Sequence, residues 1–357
     1  MPGESIVVTG IGMQSAVGYH AMQTATSVRA GLNRFTEWKH FGVDDAGIVA
    51  SWIPPNLGDC SWCEKFLDLA RAPLTEALWR ARLWEFPYLL PRSRRPARIQ
   101  ALLGTPPSER PGVTPDEHRE FAETIAEELF SETTPPVALL PHEHASGVMA
   151  VASACELLQR GDCDICVVGA ADSLLDSVFL QALLEEGRLK ASNTSSGIIP
   201  GEAAAFLVLE RESQARQRGA PPLVCIDAVG LEREEPWRQD APVGGRGMTR
   251  ALRSVLDAVG GAGEFGHVFC DLNGERWRFL EWALVEARCL GGLPRGRRLW
   301  HPADCLGDVG AAFGPVAVGL AIHAFQRGYA AKPRILITAA SARGERAALS
   351  VSRPEER

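Results

Sequence analysis

Two spacings of apolar residues alternate along the chain. Short apolar runs of strand length give way to stretches where apolar residues recur every three or four positions, the spacing of one helix face. SIVVTGIGM (5–13) reads as a buried strand closing on a glycine-containing turn. Residues 63–83 carry Phe66, Leu67, Ala70, Leu74 and Leu78 at helical spacing, with Pro73 placed to kink or restart the helix. Strands are predicted at 97–105, 136–140 and 163–173. A helix is predicted over 115–130, where Pro115, Asp116 and Glu117 suit the first turn, and another over 145–160, with Gly161 as its stop. Residues 201–219 pass from strand into helix. The Pro- and Arg-rich stretch 84–118 reads as mostly loop.

A second unit starts near 222–232, itself a strand. A helix at 247–259, a strand at 267–274 and a helix at 276–288 follow. The Gly-rich segment 307–325 turns helical, and strands at 334–340 and 347–351 close the chain. Strands alternating with helices in both halves predict a layered α/β architecture. The first strand of each half ends in a similar glycine turn, a trace of internal duplication.

Composition narrows the function classes. At 357 residues with 46% hydrophobic content, the chain can bury a large core. A net charge of −7 argues against broad capture of nucleic acid. Local basic clusters, Arg92, Arg94, Arg95 and Arg98 and then Arg295, Arg297 and Arg298, read as solvated loops or as contacts for an acidic protein. No apolar run reaches the ~20 residues of a membrane span, and no signal peptide is visible. Most of the nine cysteines lie in apolar settings, which fits reduced thiols and a cytoplasmic location. Cys60 and Cys63 form a CxxC with no second one at metal-site spacing. Neither a metal nor a cofactor is expected.

The stretch 141-PHEHASGVMA-150 joins a predicted strand to a predicted helix. Such a junction presents one side chain at the helix start, here His144, after His142 and Glu143. In extended backbone His142 and His144 would share one face and Glu143 the other.

VVTGIGMQSAVG (7–18), residues 145–176, GIIPGEAAAFLVLE (197–210) with Gly201 and Glu202, and DVGAAFGP (308–315) together resemble the β-ketoacyl synthases of the thiolase-like superfamily. The resemblance implies a duplicated α-β-α-β-α sandwich, with halves at 1–219 and 220–357 forming one compact unit. It also implies a dimer formed through the strand before His144. Members of that family condense acyl chains with malonyl units carried on acyl carrier protein.

That chemistry needs a thiolate, two imidazoles and backbone donors for an oxyanion. In the frame of the resemblance, His144 stands at the cysteine position and Asn273 at the first histidine, with Gly274 retained. The second histidine falls on Gly307, or on Asp308 with one gap, and the lysine falls near Pro302. A phenylalanine of the C-terminal loop is replaced by Ser341 or Ala342. No serine or cysteine replaces the nucleophile locally, since Ser146 lies two positions into the helix. Arg276 and Trp277 stand where small hydroxyls line the family's tunnel, which predicts a filled tunnel.

The polar residues brought to these junctions are His142, Glu143, His144, Asp271, Asn273, Glu275, His301, Asp304 and Asp308. Three uses stay open: a hydrogen-bonded vestige, acid–base chemistry by a neutral His144 with Glu275 or Asp308, or metal binding by His142, Glu143 and His144. At a helix N-terminus the dipole should keep His144 neutral. The resemblance then implies two functional classes. One is a catalytically degenerate protein acting by binding, as a homodimer or heterodimer partner or as an accessory or adaptor of a type VI-like secretion system. Its partners would be an effector, an adaptor or acyl carrier protein. The other is an acyl-thioester hydrolase, acyltransferase or decarboxylase that uses His144.

Overall fold

The computed structural model describes residues 4–38, 47–54, 60–83, 98–129, 137–191, 194–239, 241–291 and 298–355. The first half comprises β1 (Ile6–Ser15), α1 (Ala21–Arg29), β2 (Thr36–Trp38), β3 (Ile48–Ala50), α2 (Trp62–Arg80), β4 (Ile99–Gly104), α3 (Pro115–Leu129), β5 (Val137–Leu140), α4 (Ser146–Arg160), β6 (Ile165–Ser173), α5 (Ser177–Glu185), β7 (Glu202–Arg211) and α6 (Glu212–Gln217). The second comprises β8 (Val224–Arg233), α7 (Arg246–Val259), β9 (Phe265–Cys270), α8 (Arg276–Val285), β10 (Arg298–Trp300), α9 (Ala303–Leu306), α10 (Phe313–Gln326), β11 (Arg334–Ala340) and β12 (Glu345–Ser352).

The duplication is explicit in the strand order. Read outward from the middle of one ten-stranded sheet, the first half runs β1-β7-β6-β4-β5 and the second β8-β12-β11-β9-β10. In each half the strand pairs nearest the centre are antiparallel and the outer two parallel. The half-sheets join where Ile6, Val7 and Val8 of β1 pair with Ile226, Cys225 and Val224 of β8. Helix α2 covers the outer face of the first half and α7 that of the second. Helices α4 and α10 pack on each other and on strands of both halves, forming the middle layer. This is the layered α-β-α-β-α sandwich, and the middle layer is its largest apolar cluster.

Several boundaries differ from the sequence pattern. β1 does not close on a turn at its glycines but runs through them to Ser15. A Cβ on Gly12 would lie 1.9 Å from the Pro73 carbonyl oxygen, so the glycines let α2 press onto the strand. Pro73 is buried inside an unbroken helix rather than at a restart. The strand expected over 267–274 ends at Cys270, which frees Asp271 and Asn273 to project from a loop. Helices α1, α5 and α9, the β2–β3 hairpin and β10 had no predicted counterpart. Arg92, Arg94, Arg95, Arg295 and Arg297 lie outside the described residues, whereas Arg98 pairs with Asp164 at 3.1 Å. Among the described residues no helix is long and apolar enough to cross a membrane.

Candidate functional site

The chain between β5 and α4 is not extended. Glu143–Ala145 form a single 3-10 turn, so the expected alternation of His142, Glu143 and His144 does not hold. Glu143 sits at φ 51°, a left-handed conformation that costs a non-glycine residue about 1–3 kcal/mol. Its carboxylate offsets this by accepting from the Ala342 amide at 2.9 Å and the Ser341 hydroxyl at 3.1 Å. The turn swings the His144 imidazole inward to 8% exposure.

His144 meets groups from the second half of the chain. Its Nε2 lies 2.7 Å from Asp308 Oδ1, and its Nδ1 lies 3.1 Å from Arg278 Nη2. A guanidinium only donates, so Nδ1 is the acceptor and Nε2–H donates to the carboxylate. Asp308 also accepts from Asn273 Nδ2 at 2.6 Å and from the Gly310 amide at 2.9 Å. Asn273 Oδ1 accepts from the Glu275 amide at 3.1 Å. Glu275 accepts from Arg188 Nε at 2.8 Å, and Arg278 binds both Asp271 and the Ala340 carbonyl. The result is a buried, fully connected polar network (His144, Asn273, Asp308, Glu275, Arg278, Asp271) beneath the start of α4.

Three carboxylates, Asp271, Glu275 and Asp308, face two guanidiniums, Arg188 and Arg278, which leaves one negative charge in excess. Burial and the Arg278 charge disfavour an imidazolium at His144, but Asp308 outweighs them and its pKa is raised. The helix dipole works against an imidazolium, whereas the carboxylate at 2.7 Å works for it and gives the upward direction. Protonation of Nδ1 would in turn set two donors against each other at Arg278. Burial raises Asp308, but His144 and Arg278 together hold its carboxyl far below the usual range. Glu275 is likewise lowered, against burial, by Arg188 and Arg278.

Not every expected residue converges. His301 and Asp304 pair with each other at 2.7 Å at the entrance to α9, away from the network, because three residues apart on that turn they face one another. His142 lies 3.6 Å from Glu345. Gly307 contributes backbone only, at φ 72°, and packs against Ile199 and Gly201, while the side chain that enters the site is Asp308. Ser146 is committed to the Thr105 carbonyl at 3.0 Å and accepts from the His142 amide. Glu202 of the matched glycine–glutamate pair is a buried tie, bound to Lys65, Ser173 and the Ile53 amide. Among the described residues no group of three or more His, Cys, Asp or Glu is arranged to hold a metal ion.

Arg278 and Arg188 were not anticipated. Arg278 had a signal: it follows Glu275 by three residues at a helix start, the spacing of a same-face ion pair. Above the network Trp277 stacks on Trp237 with ring centres 5.8 Å apart. Arg278 lies 4.5 Å from the Trp277 ring and Arg188 lies 5.2 Å from the Trp237 ring. Arg276 is exposed, so Trp277 and Arg278, rather than Arg276, take the interior space. Two surface grooves, of about 570 and 530 Å³, share Arg188 and Trp237 as walls. Glu275 and Trp277 line the second, and His144 lines neither.

With this geometry in place, the comparisons with known proteins converge. The model of the β-ketoacyl synthase N-terminal domain matches residues 142–215. A protein of Streptomyces virginiae named as a polyketide β-ketoacyl synthase is 32% identical over 124 residues, which are 31% of this chain and 29% of that one. One of Streptomyces coelicolor, named for actinorhodin polyketide, is 29% identical over 210 residues, 54% of this chain and 49% of that one. The matches thus span less than half the length of these relatives. Among solved structures, a type II acyl carrier protein in complex with its hexaketide-bound ketosynthase aligns with TM-score 0.84 at 14% identity, over 99% of this chain and 100% of that one. A ketosynthase in complex with its chain length factor from Xenorhabdus doucetiae aligns with TM-score 0.76 at 18% identity, over 98% of each chain. The chain thus has the fold of these ketosynthase structures, and its residues 142–215 match the β-ketoacyl synthase N-terminal domain.

Proposed function

We propose that this chain, built from halves 1–219 and 220–357, is a catalytically degenerate ketosynthase-like subunit. In this reading it acts in the cytoplasm by binding protein and performs no condensation. One observation carries the reading. At the position where the resemblance places a nucleophilic cysteine, the His144 lone pair is taken by Arg278 and its N–H by Asp308. A side chain so bound offers neither a nucleophile nor a free base. Trp277, buried and stacked on Trp237, stands where the resemblance places small tunnel-lining hydroxyls, which supports this reading.

The partner is a second thiolase-fold chain, docked along β5. That strand ends the first half-sheet, Val137–Leu140 are only partly covered, and among the described residues no strand pairs with its outer edge. Ketosynthases of the similar structures are described with a chain length factor or an acyl carrier protein, which supports an assembly of this kind. The secretion-accessory version differs only in the partner, an effector or adaptor. The test is light scattering and pull-down with wild type and Ala138→Arg. Wild type should associate, and the edge charge should abolish association. A wild-type monomer that captures no thiolase-fold chain from its host overturns the reading, and capture of an effector shifts it to the secretion version.

The alternative is an acyl-thioester enzyme with altered chemistry, favoured by the His144–Asp308 pair at 2.7 Å. It requires thioester turnover above background that disappears in His144→Ala while fold and association persist. The binding reading expects no turnover in either protein.

A further inference from the structure

A second CxxC, Cys163-Asp164-Ile165-Cys166, lies where the chain leaves α4 and enters β6. The two sulfur atoms are 3.3 Å apart, and both residues are buried, at 5% and 0% exposure. A disulfide at about 2.05 Å is within reach after a small side-chain shift. Cys163 precedes the strand, so that shift breaks no ladder bond of β6. The setting is also polarised. Arg211 binds the Cys163 carbonyl at 3.2 Å and pairs with Asp164 at 3.3 Å, and Arg98 pairs with the same Asp164. The Cys166 thiol hydrogen bond, helped by Arg211 against burial, draws the Cys163 thiol down in pKa, while Cys166 itself is pushed up. Cys163 stands at the entrance to β6 beside Arg211, whereas Cys166 lies wholly buried within the strand, so Cys163 is placed to attack and Cys166 to resolve. The Cys60–Cys63 pair lacks this polarity: burial and Glu120, Glu117 and Glu64 push Cys63 up to about 11, and Cys60 is also raised by burial.

We propose that Cys163 and Cys166 form a reversible dithiol–disulfide site oxidised by hydroperoxides. The Cys163 thiolate attacks the terminal peroxide oxygen, the O–O bond breaks, and the other oxygen leaves as an alcohol or water after taking a proton. Cys166 then attacks the resulting sulfenic sulfur. The S–S bond forms, the S–O bond breaks, and hydroxide leaves with the Cys166 proton as water. Two thiols lose two electrons and the peroxide gains them.

The test treats the reduced full chain with stoichiometric hydrogen peroxide, alkylates it under denaturing conditions and maps the peptides. The expected result is two fewer alkylations than the nine cysteines, a loss of two hydrogens confined to the peptide holding Cys163 and Cys166, and reversal by dithiothreitol. In Cys166→Ser that loss should vanish and a dimedone-reactive sulfenic acid should appear at Cys163. Nine alkylated thiols after oxidation, or a bond using Cys155 or joining Cys60 to Cys63, overturns the proposal. The wild-type map decides the matter even if a variant folds poorly.

Discussion

Asp308 is the residue on which the network turns. It accepts from His144, from Asn273 and from the Gly310 amide, joining both halves at one carboxylate. Asp308→Ala would leave the His144 N–H, the Asn273 amide and the Gly310 N–H without their buried acceptor, so we expect a loss of about 1–3 kcal/mol or more in urea unfolding. Asp308→Asn should also lower the His144 pKa, read from the imidazole proton resonances. On the proposed reading, His144→Cys should not confer condensation, because Asn273 and either Gly307 or Asp308 stand where the resemblance places the imidazoles. An assay of malonyl decarboxylation checks this. At this scale the sequence exposed His144, Asn273, Glu275 and Asp308 as a constellation. It missed Arg188, whose approach from the segment after α5 no local spacing encodes. It wrongly added His301 and Asp304, which satisfy each other locally.

Among elements, apolar spacing rather than end signals made a helix legible: α4 and α10 have no side-chain cap and were predicted, whereas α5, capped by Asp176, was not. α2 begins with a capping box in which the Ser61 hydroxyl accepts from the Glu64 amide and the Glu64 carboxylate from the Ser61 amide. Ser61→Ala should cost about 1 kcal/mol in thermal or urea unfolding. α1 starts at an uncommon cap, His20, whose ring nitrogen accepts from the Gln23 amide. The middle layer depends on close approach. A Cβ on Gly147 of α4 would fall 2.2 Å from Cδ of Pro315 on α10. Gly147→Ala should therefore force the two helices apart and cost about 1–3 kcal/mol or more. Because His144 and Asp308 precede these two helices, the same variant should lengthen their contact, visible as a changed His144 titration.

For the whole molecule, charge burial predicts a stability maximum in mildly acidic solution. Asp308, Glu275 and Glu345 have depressed native pKa values, and the Glu345 carboxyl is drawn to about 2, chiefly by its bond to His142. Their contribution is present above the ordinary carboxylate value, and is lost as pH falls through about 4 and below. His144 has the opposite sign: its pKa is raised, so its contribution is present below about 6.5 and lost as pH rises through the folded value. Melting temperature against pH at fixed ionic strength should peak between these limits, and His144→Gln should flatten the alkaline limb. By itself the chain's apolar spacing determined the layered α/β class and most strand and helix positions, since alternation of periods is a local property of the backbone, whereas the duplication, hinted at by a glycine motif, came from the strand order. The family motifs added which junctions would meet. Only the tertiary structure decided that Asp308 rather than Gly307 carries the contact, that Arg278 occupies the His144 lone pair, and that Trp277 and Trp237 close over them. Those outcomes depend on how two half-sheets and two central helices bring together residues up to 164 positions apart, a distance no periodicity spans.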